Sequence, residues 1–270
     1  MKARYPGAFV RPLSARLTTW SAWLLFFALV GWCLYDFNIT PARLWLGLAR
    51  LGQVASFMFP PEIWTSWEGV RPVLIGLGET LAMAFMGTFL AAIVALPLSL
   101  LGARTINRFT PLRLLSRRGY DLLRAFETLI LALIFIRAFG LGPLAGILAI
   151  AVSDTGVLAK LFSEALENIS QKPVEGISAT GGTRIQQFRF AILPQVLPIF
   201  VSLTLYSFES NVRSSTILGI VGAGGIGLIL SDLISAYRWG EAWSVIILIV
   251  ILVYLIDGLS ERLRRNLGGV

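Results

Sequence analysis

The side chains of this chain most capable of chemistry are polar residues set inside apolar runs. Glu79, Asp154 and Thr155 each interrupt such a run, and Glu209, Asn211, Arg213, Ser214, Ser215 and Thr216 form the densest polar cluster. An ionisable group at the centre of a bilayer costs about 2.5–3.5 kcal/mol on insertion scales, so each needs a partner or a use. These residue types suit a translocation pathway, and the carboxylates of Glu79 or Asp154 could instead carry a proton or sodium ion. Arg213, with hydroxyls beside it, could meet an anionic oxygen group, for which the guanidinium fork is well shaped. The plainer reading is that Glu209 neutralises Arg213 one helical turn away, and that the pair packs one helix on another. Arg124 and Glu127, three residues apart, would share a helical face and pair in the same way. Arg137 lies well beyond Arg124 in the same run, about 20 Å along a helix at its usual rise, and would snorkel to an interface.

Several kinds of chemistry are disfavoured. The chain has no histidine and one cysteine, Cys33, which removes the commonest metal ligand and general base and any internal disulfide. No metal site, catalytic constellation or G-x-x-x-x-G-K-[ST] is present, so ATP hydrolysis through a phosphate loop would have to come from another chain. Gly222, Gly224, Gly225 and Gly227 do satisfy G-x-G-x-x-G after the strand-like 217–221. That fingerprint needs a βαβ unit in a parallel sheet, and no alternation of strands and helices surrounds it. Two readings of the glycines remain: a broken or re-entrant membrane segment lining a cavity, or an external loop or close helix contact.

The elements that must hold these residues are membrane helices. Of 270 residues, 56% are hydrophobic and 14% charged. Globular domains carry about 25% charged residues, so this chain lies far from that norm. The formal net charge of +8 fits arginines retained in loops on one side of a membrane better than a nucleic-acid surface, and no soluble basic domain exists. Leu17 to Tyr35 is a charge-free run of nineteen residues, longer than a signal-peptide core and without a small-x-small cleavage site after it. It reads as an uncleaved first span. Ile39 to Phe59 is amphipathic, with Arg43 and Arg50 on one face, and reads as an interfacial helix on the outer surface ending at Pro60-Pro61. Further spans are expected at Val73–Leu101, Tyr120–Phe139, Leu144–Leu161, Leu193–Glu209 and Ala242–Leu259, for about six in all. The segment 217–230 could change that number by one.

The basic residues orient these spans. Sixteen fall in the segments assigned to the inside: Lys2, Arg4, Arg11 and Arg16; the loop from Arg104 to Arg118; Lys160 to Arg189; and the tail with Arg262, Arg264 and Arg265. Five fall outside, which puts both termini in the cytoplasm. The expected organisation is 1–72 for the first span and interfacial helix, 73–265 for the transport domain, and 266–270 for a tail.

Between the fourth and fifth expected spans, 163–194 is too patterned for a flexible linker. EALENI is followed, after Pro173, by a helical stretch to Thr180, a Gly181-Gly182 break and a second helical stretch ending at Leu193-Pro194. Two short helices at a glycine angle make a compact knob suited to a partner's cleft, or an ordinary cytoplasmic hairpin. Glu175, Gly181, Leu193 and Pro194 fall on the spacing E-A-A, three residues, G, nine residues, I-x-L-P, and in this they resemble the permease subunits of bacterial ABC importers. Gly176 and Ile177 replace the two alanines, and Ala191 stands at the isoleucine. VEGISATG, LPQVLP, FESNVRSSTILG and VGAGGIG together resemble the phosphonate permeases and their phosphite-importing relatives.

That resemblance implies an all-α, polytopic helix bundle of the type I ABC importer permease kind in the bacterial inner membrane. It implies a coupling element made of Glu175, Gly176, Ala179, Gly181, Leu193 and Pro194. It further implies a second permease chain forming a homodimer, two ATP-binding subunits that hold ATP and magnesium, an extracytoplasmic solute-binding protein, and no cofactor in this chain. The substrate would be a phosphonate, phosphite or related oxyanion. The alternative is a stand-alone transporter driven by an ion gradient.

Overall fold

The computed structural model describes residues 13–62, 64 and 66–267. Lys2, Arg4 and Arg11, which carry much of the expected positive start, lie outside them, as does the end of the tail. The described residues are helical with no strand, and they fall into two compact units divided in the sequence between Phe59 and Pro60. The boundary expected at residue 72 falls inside a helix of the second unit.

In the first unit, α1 (Leu13–Asp36) exposes Trp20, Trp23, Leu25 and Phe26 all around its circumference, the signature of a helix solvated by lipid. Helix α2 (Pro41–Met58) begins where the Thr40 hydroxyl accepts a hydrogen bond from the Arg43 N–H at 3.3 Å. Thr40 is thus the N-cap, and Pro41 occupies the first turn, where its missing N–H costs nothing. The helix buries no residue.

The second unit is built on α3 (Trp67–Gly102) and α6 (Pro143–Glu167), its most extensive helix pair. Ala84, Ala91 and Ala95 of α3 and Ala145, Ala149 and Ala159 of α6 are all at most 1% exposed. In lipid no hydrophobic force drives helices together, so small residues that admit close backbone approach define such contacts. At the Gly102 end, Phe162 stacks on Phe200 with ring centroids 4.2 Å apart, among Leu158, Leu166 and Val196. Phe162→Ala should cost about 3–5 kcal/mol, read as a lowered unfolding temperature of the purified protein.

The expected third span is not one helix. Helix α4 (Thr110–Leu123) and α5 (Thr128–Phe139) are separated at 124–127, and among the described residues no ion pair joins Arg124 to Glu127. The cause is polar anchoring. The Tyr120 hydroxyl donates to the Leu98 carbonyl, Arg117 donates to Gly102 O at 3.1 Å and pairs with Glu167 at 2.7 Å, and Lys160 meets Asp121 at 3.0 Å. The Lys160 bond holds the Asp121 carboxyl below the usual carboxylate range. These contacts pin α4 across the ends of α3 and α6, and leave α5 only twelve residues. At the usual helical rise that is about 18 Å, too short to cross a bilayer alone.

The remaining helices are α7 (Lys172–Ala179), α8 (Arg184–Gln187), α9 (Leu193–Leu218), α10 (Gly225–Ser235) and α11 (Trp239–Leu267). Leu193-Pro194 does not end the second helix of the knob. A π-turn at Phe188–Ile192 runs α8 directly into α9, so that Arg184–Ala223 is one apolar helical stretch of 40 residues. Pro194 follows directly on this π-turn, where the regular i to i−4 hydrogen-bond ladder is already interrupted. The fifth span therefore runs past Glu209 to Leu218, and 217–221 is helix and π-turn, not strand. Among the described residues, 5 helices are long and apolar enough to cross a membrane, and α5 and α10 are shorter apolar helices.

Candidate functional site

The knob is α7 and α8, joined at Gly181. That residue has φ +78°, a left-handed conformation favouring glycine, and its Cβ position faces open space. Gly182 beside it would place a Cβ 2.5 Å from the Ile177 side chain. Helix α8 starts on a capping box: Thr183 and Gln186 exchange side-chain and backbone bonds. Glu175 sits in the first turn of α7, where the helix dipole favours a carboxylate, and Glu175, Gly176, Ala179 and Gly181 are exposed. Leu193 is half-buried and Pro194 exposed. The exposed face is therefore free, while the other side is fixed, with Val174 and Phe188 packed against the cluster around Phe162 and Phe200.

Gln195, which the sequence reading does not single out, fastens this knob to α9. Its Oε1 accepts from Ser170 N–H at 3.0 Å, and its Nε2 donates to Ser170 O at 3.3 Å and Ala191 O at 2.7 Å. One side chain thus holds both backbone groups of Ser170, just ahead of α7. The available signal was a lone amide within the apolar 190–201 run.

The polar residues of the spans divide into two groups. Asp154 Oδ2 on α6 accepts from Asn211 Nδ2 on α9 at 2.5 Å, and the same Nδ2 lies 2.9 Å from Thr88 Oγ1 on α3. One amide therefore ties three helices. Ser215, one turn beyond Asn211, is fully buried with no hydrogen-bond partner for its hydroxyl among the described residues. Thr155 turns its hydroxyl to Ala151 O in its own helix at 2.6 Å, and Ser214 is half-buried.

Glu209 and Arg213 face elsewhere. They pair at 3.8 Å, and α11 completes the network through Arg213–Asp257 at 3.3 Å and Arg264–Glu209 at 3.1 Å. The plainer reading of this pair is the geometry observed: two acids and two bases cross-link α9 and α11, and Arg213 is not grouped with Asn211.

Glu79 serves the glycine segment. Leu218 leads into a π-turn over Gly219–Ala223, with Gly222 at φ +106° and Gly224 at +84°, after which α10 begins. The first N–H groups of a helix lack internal acceptors. Here α3 supplies them: Glu79 Oε2 accepts from Gly225 N–H at 2.9 Å, and Thr80 Oγ1 accepts from Ile226 N–H at 2.9 Å. A Cβ at Gly225 would lie 2.5 Å from that Thr80 oxygen, and one at Gly227 would collide with the Thr216 carbonyl. The glycines thus make both a broken helix and a close helix contact, and the βαβ unit of a dinucleotide site is absent from the described residues. Glu79 and Gly225 also line an open cavity of about 630 Å³ with Trp67, Glu68 and Arg71. Thr80→Val keeps the shape and orphans a buried N–H, so it should cost about 1–3 kcal/mol and lower the unfolding temperature by several degrees.

A lipid-faced helix bundle with a rigidly mounted two-helix knob and a glycine-broken helix has the architecture of a permease of the ATP-binding-cassette importer class. The chain belongs to the family described as the binding-protein-dependent transport system inner membrane component, whose profile matches residues 87–268. It is similar to the phosphite transport system permease protein PtxC of Stutzerimonas stutzeri, with 34% identity over 87% of this chain and 84% of that one. The phosphate-import permease protein PhnE of Mycolicibacterium smegmatis is 36% identical over 88% of this chain and 45% of its own length. Among solved structures, the inward-facing MetNI methionine ABC transporter matches with a TM-score of 0.65 and 28% identity, over 75% of this chain and 99% of that chain. The protein is a membrane-embedded permease subunit of an ABC importer.

Proposed function

We propose that this permease carries a small phosphorus oxyanion, a phosphonate, phosphite or close relative, into the cytoplasm with ATP hydrolysed by partner subunits. The observation that carries the substrate class is the similarity to PtxC, a phosphite permease by name, along 87% of the chain. In this reading two copies of the chain pair in the bacterial inner membrane with both termini inside. Two ATP-binding subunits, which hold the ATP and magnesium, dock beneath, and a solute-binding protein delivers the substrate from outside.

The exposed face of α7, with Glu175, Gly176, Ala179 and Gly181, is the contact for the ATP-binding subunit. Leu193 and Pro194 mark where its motion enters α9. Because Gln195 holds both backbone groups of Ser170, displacement of α7 moves α9 with it. Asn211 then passes that movement to α6 through Asp154 and to α3 through Thr88, in a bundle whose alternation between inward and outward access rests on rigid elements. Asp154, Thr155, Asn211, Ser214 and Ser215 border this route on α6 and α9, Glu79 lies at the cavity beside α10, and Glu209 and Arg213 brace α9 on α11. Gln195→Leu should leave ATP hydrolysis intact and lower uptake per ATP by roughly 2- to 30-fold, measured in proteoliposomes of the assembled transporter.

The substrate is tested in cells stripped of their own phosphite and phosphonate uptake and supplied with the permease, its ATP-binding subunit and its binding protein. Accumulation of phosphite or methylphosphonate, with sulfate and methionine left outside, is the expected result. Uptake of methionine or sulfate in place of the phosphorus oxyanions would overturn the assignment.

A further inference from the structure

Where α3 ends, the loop after it and helix α8 border an open cavity of about 350 Å³, to which the transport reading assigns no ligand. Leu100, Ile106, Phe188 and Ile192 form its apolar wall, and Arg108 and Arg184 bring two guanidinium groups to it from segments far apart in sequence. No acidic residue lines it among the described residues. Neither guanidinium makes an ion pair or a hydrogen bond within the described residues. Two uncompensated like charges facing one cavity repel each other, and an anion between them relieves that repulsion.

We infer that this cavity binds the phosphodiester headgroup of an anionic phospholipid, with the acyl chains lying along the apolar wall. Depth and polarity both favour a lipid over a free ion. Leu100 lies just before the end of the membrane helix α3 at Gly102, so the apolar wall sits at the end of a span and the arginines stand at its polar edge. Leu100, Ile106, Phe188 and Ile192 turn their other sides to the cluster around Phe162 and Phe200, and a basic pocket with an apolar floor at the end of membrane helices suits a lipid headgroup. On the same segment the Arg189 guanidinium lies 5.5 Å from the centroid of the Phe190 ring, and Phe190 is 61% exposed.

The test is native mass spectrometry of the full-length permease in detergent, titrated with phosphatidylglycerol and separately with phosphatidylcholine. The wild type should retain phosphatidylglycerol preferentially. The double variant R108Q/R184Q should bind it about thirtyfold more weakly, with phosphatidylcholine binding unchanged. Arg113→Gln, on α4 and away from the cavity, should behave as wild type, and a matching unfolding temperature for all three proteins certifies their folding. Equal retention of phosphatidylglycerol by the double variant would overturn the proposal. So would displacement of bound lipid by millimolar inorganic phosphate, which would make this a free-anion site. Loss of co-purifying ATP-binding subunit with lipid retention intact would overturn it too, by making the arginines a protein contact.

Discussion

A permease carrying Gly181→Asp should reach the membrane in normal amount and support no measurable uptake. Gly181 sits at φ +78° with open space around its Cβ position, so the substitution meets no clash in the isolated chain. Asp is among the residues that tolerate a left-handed conformation best, and the backbone strain stays near about 1–2 kcal/mol, too little to unfold the bundle. What changes is the docking face. A carboxylate desolvated without a partner at an interface costs about 2–5 kcal/mol, which weakens docking of the ATP-binding subunit roughly 30-fold or more. Immunoblots of membrane fractions, co-purification of the ATP-binding subunit and uptake together separate this outcome from misfolding. Normal uptake by the variant would remove the coupling role from 172–194.

Gly227→Ala should produce the opposite pattern, failing before any question of coupling arises. Its added Cβ would collide with the Thr216 carbonyl oxygen and stand 3.0 Å from the Gly219 Cα, both backbone atoms of the segment on which α10 folds back. Neither can rotate away, so the elbow itself must open. Overpacking of this severity lies at or beyond the upper end of the usual range of about 1–3 kcal/mol, and the unfolding temperature should drop by roughly 5–10 °C or the protein fail to accumulate. Gly78→Ala on α3 is the matched control, since nothing lies within 4 Å of its Cβ position, and its unfolding temperature should not fall. A stable Gly227→Ala protein would mean that α10 does not pack on α9 through this contact.

Much of the bundle was legible because lipid imposes long apolar helices that a sequence cannot disguise. The two-helix knob was legible because Pro173 and the Gly181-Gly182 break mark it locally, although Leu193-Pro194 did not end it. The α4–α5 break was not. Arg124 and Glu127 have the spacing of a helical pair, and what divides them is the bonding of α4 to Leu98, Gly102, Lys160 and Glu167, all remote in sequence. The role of Glu79 was hidden for the same reason, since the N–H it caps lies 146 residues away. The polar cluster at 209–216 looked single because it is contiguous. A helix turns about 100° per residue, however, so neighbours in sequence point to different sides. Asn211 faces α3 and α6 while Glu209 and Arg213 face α11.

If this chain moves its substrate only when partner subunits burn ATP, reconstitution will show it. Proteoliposomes containing the permease alone, and others containing it with its ATP-binding subunit and binding protein, are to be loaded with ATP or subjected to an imposed proton or sodium gradient, and phosphite or methylphosphonate uptake followed. Uptake confined to the complete assembly with ATP, and indifferent to the gradients, is the predicted result. Gradient-driven uptake by the permease alone, without ATP, would contradict it and make Glu79 or Asp154 an ion carrier.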